Sequence, residues 1–239
     1  MEIKKRYFEL IKERIKDAYD RQIDKIREVA QLFGECAEAG GVIQLFGVRH
    51  GEEFVNELNY RAGGLAPFHA LRLKDMMLKG LIDQDDIDSG VIYDDLSLID
   101  KFPEAFEMDE RDMYCIVSFY GNEPVVIEIA RRAKEKGQKV VAVVNKKSYD
   151  LHGGTLLDYA DACLDMNAEE PDLALDVNGY PVGQISSTVT NVIAQMITAE
   201  FYDYYVRQGK EAPVLLSANI KGADVHNNSL TDPYGRRIR

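Results

Sequence analysis

The chain has 239 residues, with 41 acidic against 29 basic side chains and a formal net charge of −12. A surface of that sign repels nucleic acid and anionic membrane, so neither is expected as a partner, while a locally positive site still admits a small anion. At 46% apolar residues, with no apolar run long enough to cross a bilayer, the composition is that of a soluble globular chain with room for a well-buried core.

The N-terminal stretch "MEIKKRYFELIKERIK" is charged throughout and has no apolar core of a secretory signal. Cys36, Cys115 and Cys163 are far apart, form no CxxC pair and sit among apolar or small residues. A cytoplasmic protein with buried, reduced thiols is the expectation.

Residues 3–38 lack proline and carry only one glycine, Gly34, and their apolar positions recur at three- and four-residue steps. This predicts one long amphipathic helix or two in succession. Contact with a partner subunit is its expected role, with folding back onto the chain's own core as the alternative. "VIQLFG" (42–47) is a short apolar run stopped by glycine, hence a buried strand, and the next segment reads as a helix ending near the glycines of "RAGG".

Residues 70–111 hold helical segments and an acidic stretch, "DQDDIDSG", expected to be a solvated loop. "YCIVSFYG" (114–121) is a second strand. "NEPVVIEIARRAKEKGQ" (122–138) is a helix with proline in its first turn and glycine at its end, and "KVVAVVN" (139–145) is a third strand. "LDYADACLDM" (157–166) reads as a short helix running into a fourth strand. A helix is expected over about 187–208, and "PVLLSANI" (213–220) reads as a fifth strand or an extended segment. Strands apolar throughout, alternating with helices, predict a parallel sheet covered on both faces, with ligands beyond the strands' carboxyl ends. One α/β domain over residues 1–239, with 1–38 as a helical extension, is the simplest organisation.

Several residues in this frame could carry chemistry. In Gly47-Val48-Arg49-His50-Gly51, a loop between strand and helix, N-terminal N–H groups and the Arg49 guanidinium could hold an anion; a tight turn with a surface arginine is the plain alternative. In Ser118-Phe119-Tyr120-Gly121-Asn122, Ser118 and Asn122 could bind hydroxyls or an anionic oxygen, with the aromatics as an apolar wall or a seal on the core. Ser186, Ser187 and Thr188 stand where a helix starts, either as caps or as ligand donors. Glu57 falls among Phe54, Val55 and Leu58, suited to a general base if partly buried, or to an ion pair with Arg61 at i+4. His226 sits in the polar segment "KGADVHNN" and could shuttle protons. His69 and His152 are expected in loops without recognisable partners. The four histidines show no ligand spacing, so no metal site is expected.

Taken together, "NELNYRAGG" (56–64), "NEPVVIEIA" (122–130), "SST" (186–188) and "SANIKGADVHN" (217–227) resemble the sugar isomerase (SIS) domain family, in its small branch related to phosphoheptose isomerase. The resemblance spans nearly the whole chain. It implies a five-stranded parallel sheet flanked by helices, an assembly of dimers or tetramers with sites near subunit interfaces, and a sugar-phosphate ligand. By the same resemblance Glu57 matches the helix glutamate that acts as base. His226 is similar to a C-terminal histidine that helps open the sugar ring, and Ser118 and Ser186 to Thr188 match positions binding phosphate or sugar hydroxyls.

The departures lie in the loops. Relatives carry Gly-x-Gly-His-Ser where this chain has Gly47-Val48-Arg49-His50-Gly51, and Ser-Asn-Ser-Gly where it has Ser118-Phe119-Tyr120-Gly121. The reading that follows is an aldose–ketose isomerase working through an enediol, with catalytic Glu57 and His226 and no metal or other cofactor. The substrate-binding set is Arg49, His50, Gly51, Arg61, Ser118, Tyr120, Asn122, Ser186, Ser187 and Thr188. The ligand is a small anionic sugar, bearing phosphate or another head such as a sulfonate. A non-catalytic sugar-phosphate-binding protein and an SIS-type lyase or etherase are the alternatives.

Overall fold

The computed structural model describes residues 2–238. In chain order the elements are α1 (Ile3–Glu38), β1 (Ile43–Gly47), α2 (Gly51–Leu58), β2 (Phe68–Ala70), α3 (Leu73–Leu78), α4 (Gln84–Ser89), α5 (Ser97–Asp100), α6 (Phe102–Ala105), β3 (Met113–Val117), α7 (Pro124–Glu135), β4 (Val140–Val144), α8 (Lys146–His152), β5 (Ala162–Asp165), β6 (Leu175–Val177), β7 (Tyr180–Val182), α9 (Ser186–Arg207) and α10 (Ala223–Thr231). Five strands form one parallel sheet in the order β2-β1-β3-β4-β5, and β6 pairs with β7 as a separate antiparallel hairpin.

The pleat explains why the central strands, apart from Gln44, carry no polar side chain on either face. Ile43 and Leu45 of β1, Cys115 and Val117 of β3, and Val141 and Val143 of β4 point into one core, shared with α1, α2 and α9. Their neighbours Phe46, Tyr114, Ile116, Ala142 and Val144 point into a second core on the opposite face, closed by α3, α5, α6 and α7. A sheet buried on both faces needs apolar side chains at both phases of the two-residue period.

Helix α1 is a single helix of 36 residues, roughly 54 Å long at 1.5 Å per residue. It lies along α9 and buries Ile26, Val29, Ala30 and Phe33 in the first core. Its inner face is thus used by its own chain, while Ile3, Phe8 and Tyr19 remain exposed.

Three local expectations change. The fifth strand of the sheet is β2, not residues 213–220; that segment is extended and meets the fold through one antiparallel bridge between Leu65 and Val214. The "DQDDIDSG" stretch contains the short helix α4, closed by Gly90 in the left-handed conformation, although it buries no residue. His69 lies in strand β2 and not in a loop, and it is only 7% exposed.

Strand order turns back between β1 and β3: the chain goes outward from β1 to β2, then returns past β1 to β3 and onward to β5. The loops after β1 and β3 therefore leave in opposite directions and open a crevice at the strands' carboxyl ends.

Candidate functional site

That crevice is a cavity of about 500 Å³. Its wall is built from Arg49, His50 and Gly51 after β1, Phe119 and Tyr120 after β3, Glu123 before α7, Asp172, and Ser186 and Thr190 at the start of α9. Of the residues expected to bind substrate, Arg49, His50, Gly51, Tyr120 and Ser186 are thus brought to one cavity. Ser118 is fully buried just behind it, Asn122 is exposed with its side chain directed at the His152 carbonyl at 3.4 Å, and Ser187, Thr188 and Arg61 are not part of the wall.

The β1–α2 loop is held by backbone approach. Val48 N–H donates to Val117 O at 3.0 Å, tying the loop to β3. A Cβ on Gly51 would stand 2.7 Å from Val117 O, and one on Gly47 would stand 2.5 Å from the Gly51 carbonyl. Both positions need glycine because backbone occupies the space a side chain would take. Arg49 between them has φ of 52°, a left-handed conformation uncommon outside glycine and enriched at functional positions. Its guanidinium lies 5.5 Å from the centre of the Tyr93 ring, and among the described residues no carboxylate pairs with it.

The first-turn amides of α2 are not free for an anion. Gly51, Glu52 and Glu53 N–H groups donate to the carbonyls of Val48, Arg49 and His50 at 2.9, 3.1 and 3.2 Å. The hydroxyls are engaged as well. Ser118 Oγ donates to Glu123 Oε2 and accepts from Gly121 N–H at 2.7 Å. Asp172 closes the start of α9: its Oδ1 accepts from Ile185 N–H at 3.2 Å and Ser186 N–H at 2.9 Å, and its Oδ2 accepts from Ser186 Oγ. Ser187 Oγ donates to Gln184 Oε1 at 3.0 Å, and the Thr188 hydroxyl lies 3.4 Å from that of Tyr7. Internal carboxylates thus take the donors that an incoming oxyanion would use. Burial, with the nearby Glu170 carboxylate adding to it, raises the Tyr120 pKa, so its phenol stays protonated at neutral pH.

Glu57 does not line the cavity. It sits beyond it on α2, roughly 9 Å along the axis from Gly51, with its side chain 25% exposed. The i+4 pair with Arg61 forms, Arg61 Nη1 donating to Oε1, and Gln195 Nε2 of α9 donates to the same oxygen at 2.6 Å. Among the described residues Oε2 has no hydrogen-bond partner. His226 lies on α10 with Nε2 donating to Val214 O at 3.0 Å, also outside the cavity.

Sequence reasoning did not find Glu123, Asp172 or Gln195. Glu123 follows Ser118 by little more than one turn and was within reach of the loop reading. Asp172 and Gln195 act across 14 and 138 residues of sequence, where spacing carries no signal. Among the described residues no group of three or more His, Cys, Asp or Glu side chains is placed to hold a metal ion.

Residues 6–145 match the SIS domain model. A UPF0309 protein of Listeria monocytogenes serotype 4b is 30% identical over 240 residues, covering 97% of this chain and 96% of its own. Among solved structures, a phosphoheptose isomerase from Francisella tularensis superposes with a TM-score of 0.54 at 15% identity, over 82% of this chain and 94% of that one. A protein of Escherichia coli CFT073 in complex with arabinose-5-phosphate gives 0.53 at 11% identity, over 85% and 89%. The structural likenesses establish the fold, and the sequence matches establish the kinship: this chain belongs to the SIS domain family.

Proposed function

We propose that this chain binds an anionic sugar at the strand-end cavity and interconverts its aldose and ketose forms, with Glu57 as the base. The observation that carries this reading is the state of the Glu57 carboxylate. Two donors fix Oε1, and Oε2 is open to a substrate proton. A positioned carboxylate of this kind can take the proton from C2 of an open-chain aldose, giving an enediol, and return it to C1. O1 gains a proton as the enediol forms and O2 gives one up as the ketose forms, so atoms balance and no electron carrier enters.

Arg49 anchors the anion, as a cation without a carboxylate partner at the cavity wall. Arg61 and Gln195 hold Glu57 in place. In this reading the substrate reaches from the cavity along α2 to Glu57. His226 serves ring opening from a neighbouring copy in a dimer or tetramer, since it stands away from the cavity of its own chain. Phosphoheptose isomerase among the structures of like fold supports the reaction class.

A second reading, sugar binding without turnover, is favoured by Glu123 and Asp172, which occupy the hydroxyls and amides a phosphate would use. Incubation with sugar phosphates and sulfonated hexoses in deuterated water separates the two. Deuterium appearing at C1 or C2 supports the isomerase. Saturable binding with no exchange removes it and leaves the binding protein.

A further inference from the structure

A second cavity, of about 700 Å³, opens beside the edge strand β2, away from the strand ends. His69 is at its floor, with Arg72, Asp75 and Lys79 around the wall. Three buried polar side chains run behind it. Asp112 accepts from Gln44 Nε2 at 2.9 Å, and Gln44 Oε1 faces His69 Nδ1 at 2.9 Å. Asp112 also accepts from the backbone N–H groups of Val42 and Asp109, both at 2.9 Å, and from Arg237.

This chain of bonds fixes the tautomer. A carboxylate only accepts, so the Gln44 amide must turn its NH2 toward Asp112 and its oxygen toward His69. Nδ1 of His69 is then the protonated nitrogen, and Nε2 carries the lone pair. Nε2 has no hydrogen-bond partner among the described residues, and it is not one of the sealed, unpaired side-chain atoms. A histidine only 7% exposed thus keeps one bare acceptor with access to the cavity.

The wall supplies charge. Arg72 uses Nε and Nη2 on Asn56 Oδ1, at 3.1 and 2.9 Å, and Lys79 Nζ donates to Ala105 O and lies 5.5 Å from the Phe106 ring. Among the described residues neither cation has a carboxylate within ion-pair distance. With Asp75 counted, the cavity wall carries a net charge of about +1. A ligand that satisfies it brings one negative charge for Arg72 and Lys79 and a hydroxyl donor for Nε2.

We propose that this cavity is a second small-molecule site, taking a monoanionic hydroxy acid of the sugar-acid type. The carboxylate sits between Arg72 and Lys79, and a hydroxyl of the same molecule donates to His69 Nε2. The site shares no lining residue with the strand-end cavity and stands independently of the isomerase reading.

Titration calorimetry with three probes tests it: gluconate, which has both groups; glucitol, which lacks the charge; and hexanoate, which lacks the hydroxyls. Gluconate binds at least about tenfold tighter than either partial analogue. Arg72→Gln and Lys79→Gln, surface changes that leave the buried chain intact, each weaken gluconate about tenfold, measured in an Arg49→Ala background so that the strand-end cavity does not contribute. Imidazole nitrogen resonances give an independent reading: gluconate moves Nε2 of His69 and leaves Nδ1 protonated. No binding at millimolar gluconate, equal binding of hexanoate, or an affinity unchanged by Arg72→Gln in the Arg49→Ala background would overturn the proposal.

Discussion

At the strand ends, Asp172 has both oxygens taken up by the Ser186 hydroxyl and the first amides of α9. Further along α2, Glu57 is held through one oxygen only and presents the other. Both regions lie against α2 and α9, and both contain carboxylates that resemble functional residues by type. The difference lies in unused bonding capacity: a carboxylate already satisfied by backbone amides and a hydroxyl is a cap, whereas one with a free lone pair can still accept a proton. Residue type alone does not separate the two.

The sharpest way to break that comparison is Glu57→Gln. The amide keeps the shape but cannot accept the substrate proton, so solvent exchange should fall on the order of a thousandfold with ligand affinity nearly unchanged. Full activity in this variant would remove Glu57 as the base.

The next effect concerns His69, another group with an open position. Burial, aided by Arg72 and Lys79, lowers its pKa to about 4 from an ordinary value of 6.5. Between those values the unfolded chain binds the proton and the native one does not, so stability falls as pH drops from about 6.5 towards 4. The full difference is worth about 3 kcal/mol. Urea unfolding across this range should show the decline, and His69→Gln should flatten it; an unchanged slope in the variant assigns the pH dependence to other groups.

Arg49→Ala should weaken an anionic sugar about tenfold and its uncharged analogue far less. Equal losses would take Arg49 out of the anion site. The smallest change expected is Asp172→Ala, which removes the cap of α9 and costs about 1 kcal/mol in thermal or urea unfolding. The same variant should bind inorganic phosphate more tightly than the parent chain, because the Ser186 amide and hydroxyl become available. If phosphate affinity does not rise, Asp172 is not what blocks it.

Much of this architecture was legible because β1, β3, β4 and β5 are apolar runs ended by turn residues, and α7 and α9 have clear starts. Strand β2 was not, since Phe68–Ala70 is only three residues long and directly follows Pro67. Residues 213–220 carry a strand-like apolar run, yet they stay outside the parallel sheet and form an isolated bridge to Leu65. The β6–β7 hairpin was overlooked although its turn contains Asn178-Gly179, a strong hairpin signal. At the site, the Glu57–Arg61 pair follows from helical spacing, while the Gln195 contact and the Asp172 cap depend on packing between distant segments. Burial of the thiols was legible in part: Cys115 is fully buried, which raises its pKa to about 12, while Cys36 and Cys163 are half-buried and raised to about 11.

The glycine at position 51 also limits how the loop can be changed. A serine there looks like a one-residue route to a hydroxyl at the cavity. In this backbone its Cβ would stand 2.7 Å from the Val117 carbonyl, so the substitution would push α2 away from β3 before any hydroxyl met a ligand. A hydroxyl cradle at this position would require the loop to be rebuilt as a unit, so the site cannot be converted one residue at a time.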